Sequence, residues 1–310
     1  MWVLRGVNMA QKPESEKKII EEIDYFREKY FTYELPVPFG KLMLYPVSIK
    51  DYNEFLSSSM CLTLNKNDDI AGIKMTNIDY LLSKMQDEKE GPVWSLKFTK
   101  IIELCLHIKS GLKCQKCGKF MSFEEFYIKY EDSSITDKNS ILDCECGGRY
   151  QETVRFKEND KGKKIFIFDG VEIDNQTFNK LRKYIMYQNL PDYKDDSWVD
   201  KAVRDDQAAR QELKSRNSGT ATLERKIIGV CVNTHWKIDE VMNMTIRKFL
   251  MVLGMIDDVM NYTITRTGLM SGFASLPKGE TIEHWLYKKD EGLYGKAVDA
   301  DSYTSQIKNA

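Results

Sequence analysis

Apolar residues recur at three- and four-residue steps along most of the chain, which is the spacing of one face of an α-helix. In the N-terminal third this spacing predicts helices over 14–30, 49–60, 77–87 and 95–108. Two prolines and a glycine interrupt the pattern after the first helix, and the apolar run Leu42–Tyr45 that follows predicts a short strand.

The pattern changes at Gly111, where aromatic and polar side chains begin to alternate over residues 112–158. This alternation, in the runs FMSFEEFYIKY and RYQETVRF, is typical of strands. Beyond it, Lys164–Phe168 and Val171–Ile173 predict a hairpin whose turn is Asp169-Gly170.

Helical spacing returns at residues 175–189, where Asp174 is placed to accept a hydrogen bond at the helix start. Residues 191–222 are highly charged, but their acids and bases nearly cancel, which predicts a solvated helix and a loose linker. Three further helices are predicted over 223–232, 238–242 and 245–262.

Four cysteines carry the strongest chemical signal. Cys114 and Cys117 enclose two residues, Cys144 and Cys146 enclose one, and a glycine follows each pair. Two such turns can present four thiolates to one tetrahedral Zn²⁺, and glycine permits the left-handed backbone that the turns need. Free thiols, or a site that has lost its metal, are the alternatives. Four sulfurs fill the coordination shell, so the predicted zinc is structural.

The predicted fold class is therefore α+β, mainly α-helical, with an inserted small β-rich zinc ribbon. The predicted regions are an N-terminal helical or α+β region (9–110), the zinc-ribbon insertion (111–163), a strand–turn–strand–helix segment that continues the N-terminal domain (164–190), a charged linker helix (191–222), a C-terminal helical module (223–290) and a flexible tail (291–310). Residues 1–8 are left out of the fold prediction, because a second methionine follows at position 9.

Charge argues against a nucleic-acid partner. The 310 residues contain 46 Lys and Arg against 47 Asp and Glu, and the two signs are mixed along the chain. Over 111–164, eleven basic residues meet ten acidic ones, and a zinc ion with four thiolates would add two negative charges. Phosphate binding requires a net excess of cations, which this region lacks.

Location is predicted from the same composition. No run of 18 apolar residues occurs, so no membrane-spanning helix is expected, and the N-terminus lacks the apolar stretch of an export signal. An odd cysteine count of seven, with four in a metal-like spacing, is typical of a reducing compartment. The expected location is the cytoplasm.

Enzymatic motifs are missing from the sequence: it contains no serine elbow, Walker loop, dinucleotide fingerprint or HExxH pattern. The dipeptides His235-Trp236 and His284-Trp285, beside Asp239 or Glu283, allow an acid–base interpretation. Packing by two aromatic side chains is the simpler interpretation, and we predict a protein without catalytic residues.

Methionine is concentrated between residues 242 and 270. The apolar stripe through Ile246 and Leu253 is interpreted as core. Met244, Met251 and Met255 lie off that stripe, and flexible thioether side chains suit an adaptable binding surface. These three residues are predicted to contact a partner protein.

Two runs resemble a known family. They are LPVPFGKLMLYPVSIKDYNEF near the N-terminus and LERKIIGVCVNTHWKIDEVMNMTIRKFLMVLGMIDDVMNYTITRTGLMSGF near the C-terminus, the latter followed by HWL. Both resemble tail assembly chaperones, or neighbouring tail-morphogenesis proteins, of tailed bacteriophages that infect Gram-positive bacteria. The similarity covers the first 60 residues and 190–287.

The resemblance implies a non-enzymatic protein of the infected host's cytoplasm that binds the tape-measure protein or tail-tube subunits through apolar helical surface. Two alternatives stay open at this point. One is a structural component of the tail or baseplate in the virion, and the other is a zinc-ribbon nucleic-acid-binding protein.

Overall fold

A computed structural model describes residues 14–131, 141–159, 162–197, 199, 201–218, 221–272, 275, 282 and 284–286. Within these residues the protein is mainly helical, with small antiparallel sheets. The predicted tail at 291–310 and residues 1–8 lie outside the described residues.

The helices follow the predicted periodicity closely. In chain order they are α1 (Glu14–Phe26), α2 (Tyr52–Thr63), α3 (Asn77–Met85), α4 (Gly91–Leu106), α5 (Phe123–Glu131), α6 (Asn175–Asn189), α7 (Lys201–Ser218), α8 (Leu223–Thr234), α9 (Ile238–Met242) and α10 (Ile246–Met270). A π-helical turn, Arg27–Phe31, extends α1. The predicted cap of α6 is confirmed, because the Asp174 side chain accepts a hydrogen bond from the backbone N–H of Thr177.

Eight strands in the described residues form three small sheets. They are β1 (Val37–Phe39), β2 (Leu42–Leu44), β3 (Leu112–Cys114), β4 (Phe120–Met121), β5 (Tyr150–Glu152), β6 (Val154–Glu158), β7 (Lys164–Phe168) and β8 (Val171–Ile173). The strand orders are β1-β2, β4-β3-β5 and β6-β7-β8, and every pairing is antiparallel. The hairpin predicted at Asp169-Gly170 is confirmed.

One large apolar core runs from α1 to the start of α10. It collects buried side chains from Ile19 to Phe249, including the apolar faces of α2, α4 and α6. Phe166 of β7 lies near its centre, with its ring centroid 4.8 Å from that of Phe98 and 5.3 Å from that of Phe178. Aromatic pairs at these separations add to the stability supplied by burial alone.

The C-terminal helices join this core through backbone hydrogen bonds to a distant segment. The backbone N–H of Ile246 donates to Val47 at 2.8 Å, and that of Ile49 donates to Met244 at 2.9 Å. Val47 also donates to the buried Asn189 side chain at 2.8 Å. The start of α10 is therefore held by residues almost 200 positions earlier in the chain.

The expectation of strands throughout FMSFEEFYIKY is wrong. Only Phe120–Met121 is extended, and α5 begins immediately afterwards at Phe123. The cause is a local capping box: the Ser122 hydroxyl accepts from the N–H of Glu125, and the Glu125 carboxylate accepts from the N–H of Ser122. Two helix-start donors are satisfied in this way, and this outweighs the strand preference of the aromatic residues.

Helix α10 extends eight residues beyond its predicted end at 262, because no helix-breaking pair occurs before Ser271-Gly272. The proposed division into domains stays a prediction, although β6, assigned above to the insertion, pairs with β7. No helix in the described part of the chain is long and apolar enough to cross a bilayer.

Candidate metal centre and exposed helical face

The four cysteines lie on two turns at one end of the β4-β3-β5 sheet. Cys114 ends β3 opposite Tyr150 of β5, and its carbonyl accepts the N–H of Gly118 at 3.0 Å. The carbonyl of Cys144 likewise accepts the N–H of Gly147 at 2.8 Å. Gly118 and Gly147 both have left-handed backbones, with φ of 74° and 75°. Each turn therefore uses the conformational freedom predicted for the glycine after each pair.

The sulfur atoms form one compact group. All four lie within 4.8 Å of one another, and the Sγ–Sγ distances are 3.4 Å for Cys114–Cys146 and 3.6 Å for Cys117–Cys144. A tetrahedral ion with Zn–S bonds of 2.3 Å would separate its sulfurs by about 3.8 Å. A disulfide requires about 2.05 Å, and no cysteine here is bonded to another. The spacing is compatible with a metal site.

Gly148 allows the two turns to approach each other. A Cβ atom at this position would lie 2.8 Å from the Cys114 sulfur, 3.3 Å from the Cys146 sulfur and 2.6 Å from the Cβ of Lys116. No larger residue fits without displacing a sulfur, so the second glycine of the Cys144-Glu-Cys146-Gly-Gly run shapes the cluster. Sequence spacing alone gave no reason to single out this glycine.

Backbone donors make two of the thiols more acidic. The N–H of Cys117 is the largest cause that lowers the pKa of Cys114 to about 6. Burial acts against this shift, and the N–H of Lys116 adds to it. The N–H of Cys146 is the largest cause that lowers the pKa of Cys144. Burial, with the neighbouring thiols, raises the pKa of Cys146 to about 12. A metal ion at this position would have to displace the proton of Cys146, so its binding would release protons.

Lysines near the cluster are already bonded to acceptors of this chain. Lys116 donates to the carbonyl of Cys146 at 2.9 Å, and Lys119 lies 3.2 Å from the Glu145 carboxylate. Lys113 forms an ion pair with Asp169 at 2.6 Å. These pairings reduce the positive charge available to phosphate, in agreement with the charge balance of the sequence.

Thr153 connects the cysteine module, by which we mean residues 111–152, to the rest of the protein. Thr153 is buried between β5 and β6, and its hydroxyl donates to the carbonyl of Lys109 at 2.7 Å. The same hydroxyl accepts from the N–H of Gly111 at 3.2 Å, and the Thr153 carbonyl accepts from the N–H of Asp169 at 2.7 Å. Both chain connections of the module therefore meet at this residue.

The three methionines predicted to bind a partner do not share one environment. Met251 and Met255 are 50% and 42% exposed on α10. Met244 is 8% exposed, so most of its side chain is buried, although it lines the groove described below. Its backbone carbonyl accepts the N–H of Ile49, which holds the segment before α10 against the core.

Further apolar side chains are exposed on the C-terminal helices. On α8 and the turn after it they are Ile228, Val232, Trp236 and Ile238. On the second half of α10 they are Val259, Met260, Ile264 and Met270. We call this set, with Met251 and Met255, the C-terminal apolar surface.

The histidines do not join the cysteine cluster. His107 ends α4 in a left-handed conformation and stacks on Tyr45 with ring centroids 3.9 Å apart. His235 ends α8 in the same conformation, and His284 lies 5.2 Å from the ring of Tyr262. The stacked ring shows that His107 packs against Tyr45, whereas Trp236 is 37% exposed.

One groove was missed entirely by sequence reasoning. It lies between the turn after the π-helix and the start of α10, and its lining residues are Glu34, Trp236, Glu240, Asn243, Met244 and Lys248. Glu34 is more than 200 positions from Lys248, so no local pattern could connect them. The backbone of Glu34 marks this groove in the structure, because Glu34 is a non-glycine residue with a left-handed φ of 56°.

Comparison with known proteins shows that the C-terminal helices are similar to a phage-associated family of domains. Residues 214–290 match the family described as the YomV second domain. This match spans α8, α9 and α10 together with the C-terminal apolar surface. No curated protein and no solved structure gave a match.

Proposed function

We propose that this protein is a non-enzymatic tail assembly chaperone of a bacteriophage, acting in the cytoplasm of the infected host. Its C-terminal apolar surface binds helices of the tape-measure protein, or tail-tube subunits, before the tail is complete. The chemistry is reversible burial of apolar helix surface, without a covalent step.

The observation that carries this proposal is the coincidence of two features in one segment. The region that matches a phage-associated domain also exposes Met251, Met255 and several β-branched side chains on consecutive helices. Large exposed apolar patches mark sites of protein interaction, which is the role proposed for these side chains. Methionine adds the conformational freedom to accommodate more than one partner helix.

We further propose that the cysteine module is a zinc ribbon with a structural Zn²⁺ ion. Cys114, Cys117, Cys144 and Cys146 would hold the ion, which supplies a cross-link between the two turns. All four protein ligands are thiolates, and such a closed shell leaves no position for a reacting water.

Co-expression with the tape-measure protein of the same phage genome tests the proposed function. A double variant, Met251→Glu with Met255→Glu, should lower the amount of co-purified partner by about tenfold or more, because charge would be buried on binding. Both residues are exposed, so the free energy of unfolding should change by only about 0.5 kcal/mol.

Leu96→Glu is the matched control, since Leu96 is 70% exposed on α4, outside the C-terminal apolar surface. It should leave co-purification unchanged. Equal loss in both variants, or no partner bound to the unmodified protein, would contradict the proposal. Mass spectrometry of purified virions separates a chaperone from a structural tail component, because a chaperone should be scarce in finished particles.

A further inference from the structure

The groove beside α10 is continuous with the predicted partner face. It is an open depression of the surface with a volume of about 470 Å³. Lys248, Met251 and Met255 follow one another on α10 at steps of three and four residues, so they share one side of that helix. The groove therefore forms one end of the surface assigned to the partner.

One side of the groove is preformed in the free protein. The Glu34 carboxylate accepts hydrogen bonds from the N–H of Thr245 at 3.2 Å, from the Thr245 hydroxyl at 2.9 Å and from Lys248 at 2.9 Å. Burial would raise the pKa of Glu34, but these donors hold it below its ordinary value. The residue keeps its charge at neutral pH and closes the N-terminus of α10.

Glu34 reaches this position through an unfavourable backbone conformation. A left-handed φ of 56° in a residue with a side chain costs on the order of 1 kcal/mol. Such conformations persist where the surrounding structure imposes them, and they cluster at binding sites. The hydrogen bonds to Thr245 and Lys248 are the interactions that offset this cost.

Trp236 occupies the opposite rim, and its backbone is fixed on both sides. Its N–H donates to the Thr234 hydroxyl at 3.3 Å, directly after the left-handed turn at His235. The next residue, Lys237, donates its N–H to the Glu240 carboxylate at 2.9 Å. An exposed tryptophan on a fixed backbone at the edge of a cleft has the properties of an interface hot spot.

Charge in the groove favours a cation on the partner. The lining contains two carboxylates, Glu34 and Glu240, and one ammonium group, Lys248, which is already paired with Glu34. Lys50 lies outside the lining and donates to Asn243. Within the described residues, Glu240 has no lysine or arginine at ion-pair distance, so its carboxylate can accept a basic side chain.

We propose that this groove is an anchoring subsite for an amphipathic helix of the tape-measure protein. A large apolar side chain of that helix packs between Trp236 and Met244, and a Lys or Arg one turn away meets Glu240. The inference rests on the proposed function, and it adds the subsite and the chemistry of the helix that fits it.

The test uses the full-length protein co-expressed with the tape-measure protein. Trp236→Ala should lower partner capture by about tenfold or more. Glu240→Lys should lower it severalfold, and Glu240→Gln should reduce the dependence of capture on NaCl concentration. Leu96→Ala and Glu88→Lys are the matched controls, since both residues are exposed and lie outside the groove.

Two results would overturn the inference. If Trp236→Ala and Glu240→Lys both capture the partner as well as the unmodified protein does, while the Met251/Met255 double variant fails, the groove is not a subsite and the proposed function stands. If the unmodified protein captures nothing, both proposals fail. Should Trp236→Ala fold poorly, shown by loss of its helical circular dichroism signal, Glu240→Gln decides the question, because a glutamine amide oxygen can still accept the N–H of Lys237.

Discussion

The cysteine module and the main body of this protein are stabilised by different means. The main core contains buried side chains from most helices, whereas the module's own core, in the described residues, consists of Leu112, Cys114, Met121, Cys144 and Tyr150. Two of those five side chains are candidate metal ligands. A cluster this small buries too little apolar surface to offset the entropy of ordering its chain.

A bound metal ion would therefore contribute differently to the stability of the two regions. In the module a Zn²⁺ ion would supply most of the stabilising free energy, while in the body it would contribute little. The C-terminal helices belong to the main body, because Val230, Val241 and Phe249 lie in the main core. Removing the metal should therefore disturb one region only.

The largest expected effect comes from removing two ligands. The double variant Cys114→Ser with Cys117→Ser should reduce bound zinc from one ion per chain to none. Structural zinc binding contributes about 10–16 kcal/mol in small zinc-dependent domains, so hydrogen exchange of residues 111–152 should accelerate strongly. Exchange in α2, α4 and α10 should stay slow, because their core does not include the cysteines.

Cys231→Ser is the control for this experiment, since Cys231 lies on α8 and not in the cluster. It should retain the metal. Global unfolding of the double variant would contradict the separation of the two regions, and full zinc content would contradict the ligand assignment.

The converse experiment destabilises the core of the main body. Phe249→Ala removes a fully buried ring at the start of α10 and should lower the free energy of unfolding by about 3–5 kcal/mol. Urea denaturation followed by circular dichroism measures the loss, with Met260→Ala, an exposed α10 position, as the control. Zinc content should be unchanged under native conditions, and loss of zinc at neutral pH without denaturant would show that the regions are coupled.

The smallest expected effect comes from Thr153, which connects the cysteine module to the main body. Thr153→Val keeps the side-chain shape but removes the hydroxyl that is bonded to Lys109 and Gly111, which should cost about 1–3 kcal/mol. Zinc should remain bound, while the amide of Gly111 should exchange faster. Thr99→Val, which removes a hydroxyl bonded only within its own helix, should have a smaller effect. Equal effects would show that Thr153 does not organise the joint.

Local patterns predicted much of the fold. Helix α6 occupies its predicted range, and its Asp174 cap and the preceding hairpin are confirmed, because each depends on residues within a few positions of one another. The four cysteines could also be selected by spacing, since a pair on one turn is a local feature. Local reasoning failed at α5, where a capping box competed with a strand-like alternation and prevailed.

Long-range contacts decided which predicted site residues are exposed. Met244 and Met251 have the same side chain, but the backbone pairing of Ile49 with Met244 holds only the first against the core. Trp236, which follows the left-handed turn at His235, is 37% exposed, although Val241 five residues later is fully buried.

Hydrophobic period, capping and ligand spacing act over a few residues, so they predict most of the helices, the turns and the four candidate cysteine ligands. Tertiary packing brings the four sulfurs within 4.8 Å of one another and places Glu34 at the start of α10. Those arrangements join residues about 30 and about 210 positions apart. Their geometry follows from how the separate elements pack, which no local pattern specifies.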